Sequence, residues 1–470
     1  MPTWDSLLPE IRVMILGELE RHPQKGAYAA VSKEWQAVIE KSTFRRLKLK
    51  EACLDDFDRI VQHQRGSVRH CLEPTREGLT LELNAYSTSD KEHWHKTCYL
   101  GTLEEDALLD SGRLLDTGQI DDPGHGWVHG RQVSPPPSGA IRRIYEDLNI
   151  KFHDQLPQVE VVTKFLIRRQ CRRQWTPPTL QRIWEKLPRL EEIVYEPWQL
   201  CEKPLQEFQR DGEYYKMVTS HLPLHLKKLS VFEDFNETFL SLFQTQDSFL
   251  NNEPLLLQLQ THFGDLFNQE LLLAIQNDLA LINPDRVRVT SRQVAEGFAA
   301  RSLGLEQLSV AFMAEARYFM DAAKKTWTWH ELRSLSLTSR LMSRESSSEE
   351  ISRLLHDAGA VALHMPELEM MNIWNGAQGE ACAFMYRQED SSITWRGTWE
   401  FKLSHDVLQS WKKVVARFAR NEMQVRHQLL GCEILSHGDA IHYLDLAFVI
   451  DPVSLVQIRR ENEQSCYKTE

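Results

Sequence analysis

The phrase Leu-x-x-apolar-x-apolar recurs along the middle of the chain, and it limits the possible fold more than any other feature. Its clearest copies are LEEIVY (Leu190, Ile193, Tyr195), LKKLSV (Leu226, Leu229, Val231), LEQLSV (Leu305, Leu308, Val310), LRSLSL (Leu332, Leu335, Leu337) and LEMMNI (Leu368, Met371, Ile373), after a weaker Val159-x-x-Val162. Leu-Pro stands shortly before three of them, at 156–157, 187–188 and 222–223, and Met365-Pro366 stands before the last. Alternation within each phrase predicts a short strand. Between copies the apolar spacing turns helical, as in Leu180, Ile183, Trp184, Leu187 and again in Ile351, Leu354, Leu355, Ala358, Val361. A strand and a helix of this size bury their apolar sides only against neighbouring units, which is how a solenoid reads. The copies begin at residues 159, 190, 226, 305, 332 and 368, so the step from 226 to 305 is about two units long. One copy there is either degenerate or interrupted by an insertion.

The phrase resembles a leucine-rich repeat, with one departure. The Asn or Cys that such repeats carry three residues past the last Leu is replaced by Trp198, Asp234, Met313 and Arg340. The resemblance implies that the turns find their hydrogen bonds elsewhere and that the repeat is irregular. The other reading is an ordinary α/β domain whose strands share a pattern by coincidence.

Residues 4–44 read as three short helices with more apolar surface than they can bury among themselves. Ile11, Met14, Ile15 and Leu19 form one face, Val13 and Leu16 lie off it, and Trp35, Val38 and Ile39 form a face of the third helix. The second apolar side needs a cover, from another chain or from the rest of this one. The segments Leu8-Pro9-Glu10-Ile11, Ile15-Leu16 and Ala30-Val31-Ser32-Lys33-Glu34-Trp35-Gln36, followed by Phe44, resemble an F-box of the form common in filamentous fungi. That resemblance implies docking through Leu8, Pro9, Ile11, Ile15, Leu16, Val31 and Trp35 onto the Skp-type adaptor of a cullin-type ubiquitin ligase. Phrases such as MPELEMMNIWNG (365–376) and ITWRGTWE (393–400) likewise resemble the uncharacterised region that follows many fungal F-boxes. The alternative at the N-terminus is a helical hairpin packed on its own domain.

Elsewhere, residues 78–83 alternate as a strand, and residues 85–137, rich in Gly and ending in three prolines, read as an insertion. Ile141, Ile144, Tyr145 and Leu148 predict a helix from Ala140. Residues 381–386, 393–403 and 425–435 read as strands, and residues 407–419 as an amphipathic helix. Asp451-Pro452 opens a closing helix, with the proline at its first turn.

Composition narrows the function classes. Lys+Arg 55 against Asp+Glu 67 leaves a net charge of −12, which gives no general pull toward nucleic acid or anionic membrane. No apolar run is long enough for a membrane span. The eight cysteines are scattered without a C-x-x-C pair, as expected of reduced thiols in the cytoplasm or nucleus.

Four stretches were candidates for chemistry. His93, His95, Cys98, His125 and His129 offer imidazole and thiolate ligands, but their spacing fits no zinc motif and solvent-facing histidines are the plainer reading, so no metal or cofactor is expected. Ser436-His437-Gly438-Asp439 sets triad residue types side by side, whereas triads converge from separate elements. The basic run 164–175, with Arg168, Arg169, Arg172, Arg173 and Trp175, is the best substrate-facing patch. Its plainer reading is a solvated edge pairing with Glu191, Glu192 and Glu196. Ser343 to Glu350 is a polar serine run expected to cap the following helix, and Trp198, Trp327 and Trp329 are aromatic anchors.

These readings combine into a mixed α+β / α/β chain: an F-box-like helical domain at 1–50, a linker with insertion at 51–138, and an irregular leucine-rich-repeat-like α/β solenoid at 139–470. The expected role is a non-catalytic adaptor that holds a protein substrate for a ubiquitin ligase. Ligase-independent protein binding is the runner-up, and a metal-dependent enzyme using the His/Cys insertion stands behind it.

Overall fold

The structure is a computed structural model, and it describes residues 78–85, 147–148, 156–198, 204–234, 291–419 and 421–464, with a few isolated positions outside these spans. It divides into two compact units, Met1–Leu79 and Thr80–Glu470. In the first unit the described residues include Trp4, Leu8, Ile11, Met14, Ile15, Val31 and Trp35.

The second unit is built on one ten-stranded, mostly parallel sheet. Its strands follow chain order: β1 (Leu79–Glu82), β2 (Val162–Ile167), β3 (Glu192–Tyr195), β4 (Lys228–Phe232), β5 (Gln307–Glu315), β6 (Ser334–Thr338), β7 (Met370–Ala377), β8 (Glu380–Arg387), β9 (Ser392–Gly397) and β10 (Gln424–Leu429). β2 through β7 run parallel, β8 is antiparallel to both neighbours, and β10 is parallel to β9. Each copy of the recurring phrase became one of β2 to β7. β4 pairs directly with β5, so the long step between those copies is an interruption and not a missing strand.

Among the described residues, eight helices accompany the sheet: α1 (Pro177–Trp184), α2 (Pro204–Lys216), α3 (Arg292–Arg301), α4 (Ala316–Ala322), α5 (Ser348–Ala362), α6 (His405–Phe418), α7 (His437–Tyr443) and α8 (Pro452–Gln464). Their starts follow ordinary capping chemistry. Ser347 accepts a hydrogen bond from the Glu350 N–H at 3.2 Å and Ser404 one from the Val407 N–H at 3.4 Å, while Asp451 accepts from the Val453 N–H at 2.9 Å just before Pro452. Asp147–Leu148 instead pairs as a short strand with Gln174–Trp175, so the helix expected from Ala140 does not run through Leu148.

The strand period of two sorts the side chains. One face carries two unbroken apolar rows. Phe165, Ile193, Leu229, Leu308, Leu335, Met371, Tyr386 and Ile393 lie in register, and so do Ile167, Tyr195, Val231, Val310, Leu337, Ile373, Phe384 and Trp395. These rows form the main core with the apolar sides of α1, α3, α5 and α6. Trp184 meets Phe165 edge-on at 5.9 Å, and the Trp411 indole N–H donates to the Leu355 carbonyl at 2.9 Å, tying α6 to α5. The two helices approach so closely that a Cβ at Gly359 would lie 2.5 Å from the Ser410 hydroxyl.

The opposite face has a smaller core made with α7 and α8: Phe232, Phe312, Trp374, Ala383, Ile441, Leu446 and Ile458. An irregularity in β5 creates it. Between Leu337 and Thr338 of β6 the register with β5 jumps from Val310 to Glu315, and Phe312 takes φ 63°. A left-handed aromatic residue costs about 1–2 kcal/mol. In return Phe312 turns to this second face, 5.3 Å from Trp374 and 5.5 Å from Phe232, and the Thr338 hydroxyl accepts its N–H at 2.7 Å.

Leu335 sits at the centre of the main core with no solvent exposure. Leu335→Ala is expected to lower unfolding free energy by about 2–5 kcal/mol, and Leu224→Ala, at an exposed site, by less than about 0.5 kcal/mol. Urea unfolding of both variants checks the assignment; equal losses would contradict it.

Candidate functional site

Two polar regions lie on or beside the face that carries α7 and α8. The first is at the carboxyl ends of β2, β3 and β4, where the chain leaves the sheet through Arg168-Arg169, Glu196 and Glu233-Asp234. Asp234 is fully buried. One of its oxygens meets the Arg169 guanidinium and the other lies 2.9 Å from His437 Nε2. Burial works against the Asp234 charge, but Arg169 and His437 outweigh it and hold the carboxyl at about 2. Trp198 donates its indole N–H to the Arg169 carbonyl at 2.5 Å, and both Arg169 and Arg172 lie over its ring, at 4.6 and 5.3 Å.

Glu196, also buried, accepts from the Arg169 N–H at 3.0 Å, the Asp451 N–H at 2.7 Å and the Ser454 hydroxyl. Burial, with the negative charge of Asp451 behind it, raises the Glu196 carboxyl to about 7 against the pull of those hydrogen bonds. Arg168 grips Glu82 with two bonds of 2.9 and 2.6 Å, and Asp451 lies 3.7 Å away. Glu315, at the end of β5, repeats the device by accepting the Arg340 N–H at 3.0 Å and the Ser339 hydroxyl. Buried carboxylates thus take up backbone N–H groups where the chain leaves the strands.

The basic run is therefore turned inward. Arg168, Arg169, Arg172 and Trp175 are buried and Arg173 is half-buried; Lys164 pairs with Glu192 at 2.6 Å on the sheet. Arg168 is spent on Glu82 and Asp451 and Arg169 on Asp234, inside the second unit. Ser436, His437 and Asp439 are likewise separately occupied. Ser436 caps α7 through the Asp439 N–H at 3.2 Å, His437 meets Asp234, and Asp439 meets Arg459 at 3.1 Å. Trp198 and Trp329 are core residues, the latter donating to the Ser302 hydroxyl at 2.7 Å.

The second region is a polar row across the sheet. Ser230, Ser309, Ser336 and Asn372 are register partners on β4 to β7 and point away from the main core. Arg387 on β8 donates to the Asn372 side-chain oxygen at 2.7 Å and to the Tyr386 carbonyl at 3.0 Å. The hydroxyls of Ser309 and Ser336 and the Asn372 side-chain nitrogen are buried atoms that make no hydrogen bond. Leaving such a group unpaired costs about 1–3 kcal/mol. Tyr443, at the end of α7, and Phe448, between α7 and α8, are exposed. The residues of the row had not been singled out from the sequence. Their signal was the middle position of the recurring phrase, which is Ser in LKKLSV, LEQLSV and LRSLSL and Asn in LEMMNI.

In the N-terminal unit, Leu8 is 68% exposed, Met14 70% and Val31 60%, with Ile11 and Ile15 exposed as well. The Trp4 and Trp35 rings lie 4.9 Å apart. Pro9 and Leu16 fall outside the described residues, as do His93, His95, Cys98, His125 and His129. Among the described residues, no group of His, Cys, Asp and Glu is placed to hold a metal ion, and no helix is long and apolar enough to cross a membrane.

Residues 221–450 match a family of unknown function, DUF6546. The matched span takes in β4 to β10 and includes the whole polar row, Asp234 and His437, but not Arg169 or Glu196. No curated protein matches the chain, and no solved structure does. No F-box family matches residues 4–49, and this overturns the F-box resemblance. The Skp-type adaptor and the ubiquitin ligase had been implied by that resemblance alone.

Glu196 gives the carboxyl network a pH signature. Its carboxyl is raised from 4.5 in the free side chain to about 7 in the fold, so its contribution to stability is complete below pH 4.5 and is lost as pH rises through 7. The expected loss is up to about 3 kcal/mol. Glu196→Gln removes that slope, and urea unfolding at pH 5 and pH 7.5 tests it; parallel slopes in both proteins would contradict the assignment.

Proposed function

We propose that this chain is a non-catalytic interaction protein. Its strand–helix units form a leucine-rich-repeat-like array whose polar row receives a polypeptide, and its N-terminal unit docks a second protein through Leu8, Ile11, Met14, Ile15 and Val31. The chain then acts by proximity, holding two molecules together, and none of its side chains takes part in bond making.

One observation carries this reading: three hydrogen-bonding side chains stand in register on adjacent strands with buried atoms left unpaired. A sheet selected for stability alone would place apolar side chains there. Hydroxyls accept and donate, and the Asn372 amide nitrogen donates, so the row suits the carbonyl and N–H groups of a polypeptide; Ser336 is 1% and Asn372 0% exposed, so the polypeptide reaches them by displacing what covers the row. The exposed aliphatic residues of the N-terminal unit support the second contact, since clustered apolar exposure marks interaction surfaces.

The test separates stability from binding. Ser309→Ala with Ser336→Ala removes two unpaired hydroxyls, so unfolding free energy should stay level or rise by about 1 kcal/mol. Peptides selected from a displayed random library on the purified full chain should bind this variant at least about fivefold more weakly. Lost stability with unchanged peptide binding would make the hydroxyls structural and overturn the proposal.

A further inference from the structure

The sheet ends in an open edge. β10 is the last strand among the described residues, and along it every residue but Arg426 is exposed. Its backbone shows which groups are available. The Gln424 N–H bonds the Ser391 carbonyl at 2.9 Å and the Leu430 N–H bonds the Gly397 carbonyl at 2.8 Å. Alternate residues of a strand face the same neighbour, so Gln424, Arg426, Gln428 and Leu430 face β9. The N–H and C=O groups of Val425, His427 and Leu429 therefore point outward. Val425 is 41% exposed and Leu429 61%, on the same side of the sheet. Five exposed residues, with the outward hydrogen-bonding groups of three residues among them, are a template for another strand.

We propose that this edge pairs with β10 of a second copy of the chain, antiparallel about a two-fold axis at His427. This register sets all three outward-facing residues opposite one another as hydrogen-bonded pairs: Val425 against Leu429, His427 against its own copy, and Leu429 against Val425. It places aliphatic against aliphatic and Arg426 against Gln428, with no Lys, Arg, Asp or Glu facing a like charge. Shifting the axis to Arg426 would set that guanidinium against its own copy, which is destabilising. Arg426 is also held down by Asp390 at 2.5 Å and by Gln424 at 2.6 Å, on the side away from the new contact. The two sheets then become one continuous sheet, and the polar rows of both copies lie on it. The inference uses no residue of that row and stands apart from the proposed function.

Sedimentation velocity of the purified full chain over a concentration series tests it, with circular dichroism as the check on folding. The wild-type chain should reach twice its monomer mass. Val425→Lys with Leu429→Lys sets ammonium against ammonium in this register and should weaken the dimer by roughly tenfold or more. Val425→Lys with Leu429→Glu sets opposite charges together and should restore it. A wild-type chain that stays monomeric overturns the proposal, as does a dimer indifferent to the two lysines or one that the Lys/Glu combination fails to restore.

Discussion

The carboxylate of Asp234 is the joint that fastens the C-terminal helices to the sheet. It is fully buried and shared between Arg169, from the end of β2, and His437, from the first turn of α7. Removing one partner from such a buried group typically costs about 3–5 kcal/mol, because the charge left behind has no water to turn to. The joint spans a large sequence distance: Asp234 and His437 are 203 residues apart. Glu196 reinforces it by taking the Asp451 N–H and the Ser454 hydroxyl at the start of α8. Both C-terminal helices are thereby fastened to the ends of the strands that precede them by more than 200 residues.

That fastening decides what the face opposite the main core becomes. Where α7 and α8 lie on it, the strands present Phe232, Phe312 and Trp374 and the face is core. Two residues earlier on β4 and β7 stand Ser230 and Asn372, in register with Ser309 and Ser336 between them, and there the face turns polar. The left-handed Phe312 belongs to the same design, since its bulge delivers an aromatic ring to the side that the helices cover. A single sheet thus has one side lined by two apolar rows and the other divided between a seal and a polar row.

The apolar half of this arrangement was legible in the recurring phrase. Each copy of Leu-x-x-apolar-x-apolar became a parallel strand with its leucines in the main core, and the stripes at 351–361 and 407–418 became α5 and α6. The polar row was present in the same phrase but passed unread, because a Ser between two leucines looks like the solvent side of any strand. The arginines of 168–173 resemble a surface patch on sequence alone. Their burial depends on Glu82, Asp234 and Asp451, none of which is near in sequence, and local charge patterns do not report such partners. The F-box resemblance failed for a related reason: LP-x-I and VSKEW are short phrases whose apolar residues fit an amphipathic helix of any family. The exposed Leu8 and Val31 behind that resemblance remain, without the family that had supplied their partner.

Hydrogen exchange read by mass spectrometry on Asp234→Asn tests the joint most directly. The substitution keeps the shape of the side chain and removes its charge, leaving Arg169 buried beside a neutral amide. Amides of α7 and α8 should lose protection while those of β5 to β7 keep theirs, because only the C-terminal helices depend on the joint. Unchanged protection in α7 and α8, or an equal loss across the whole sheet, would contradict it.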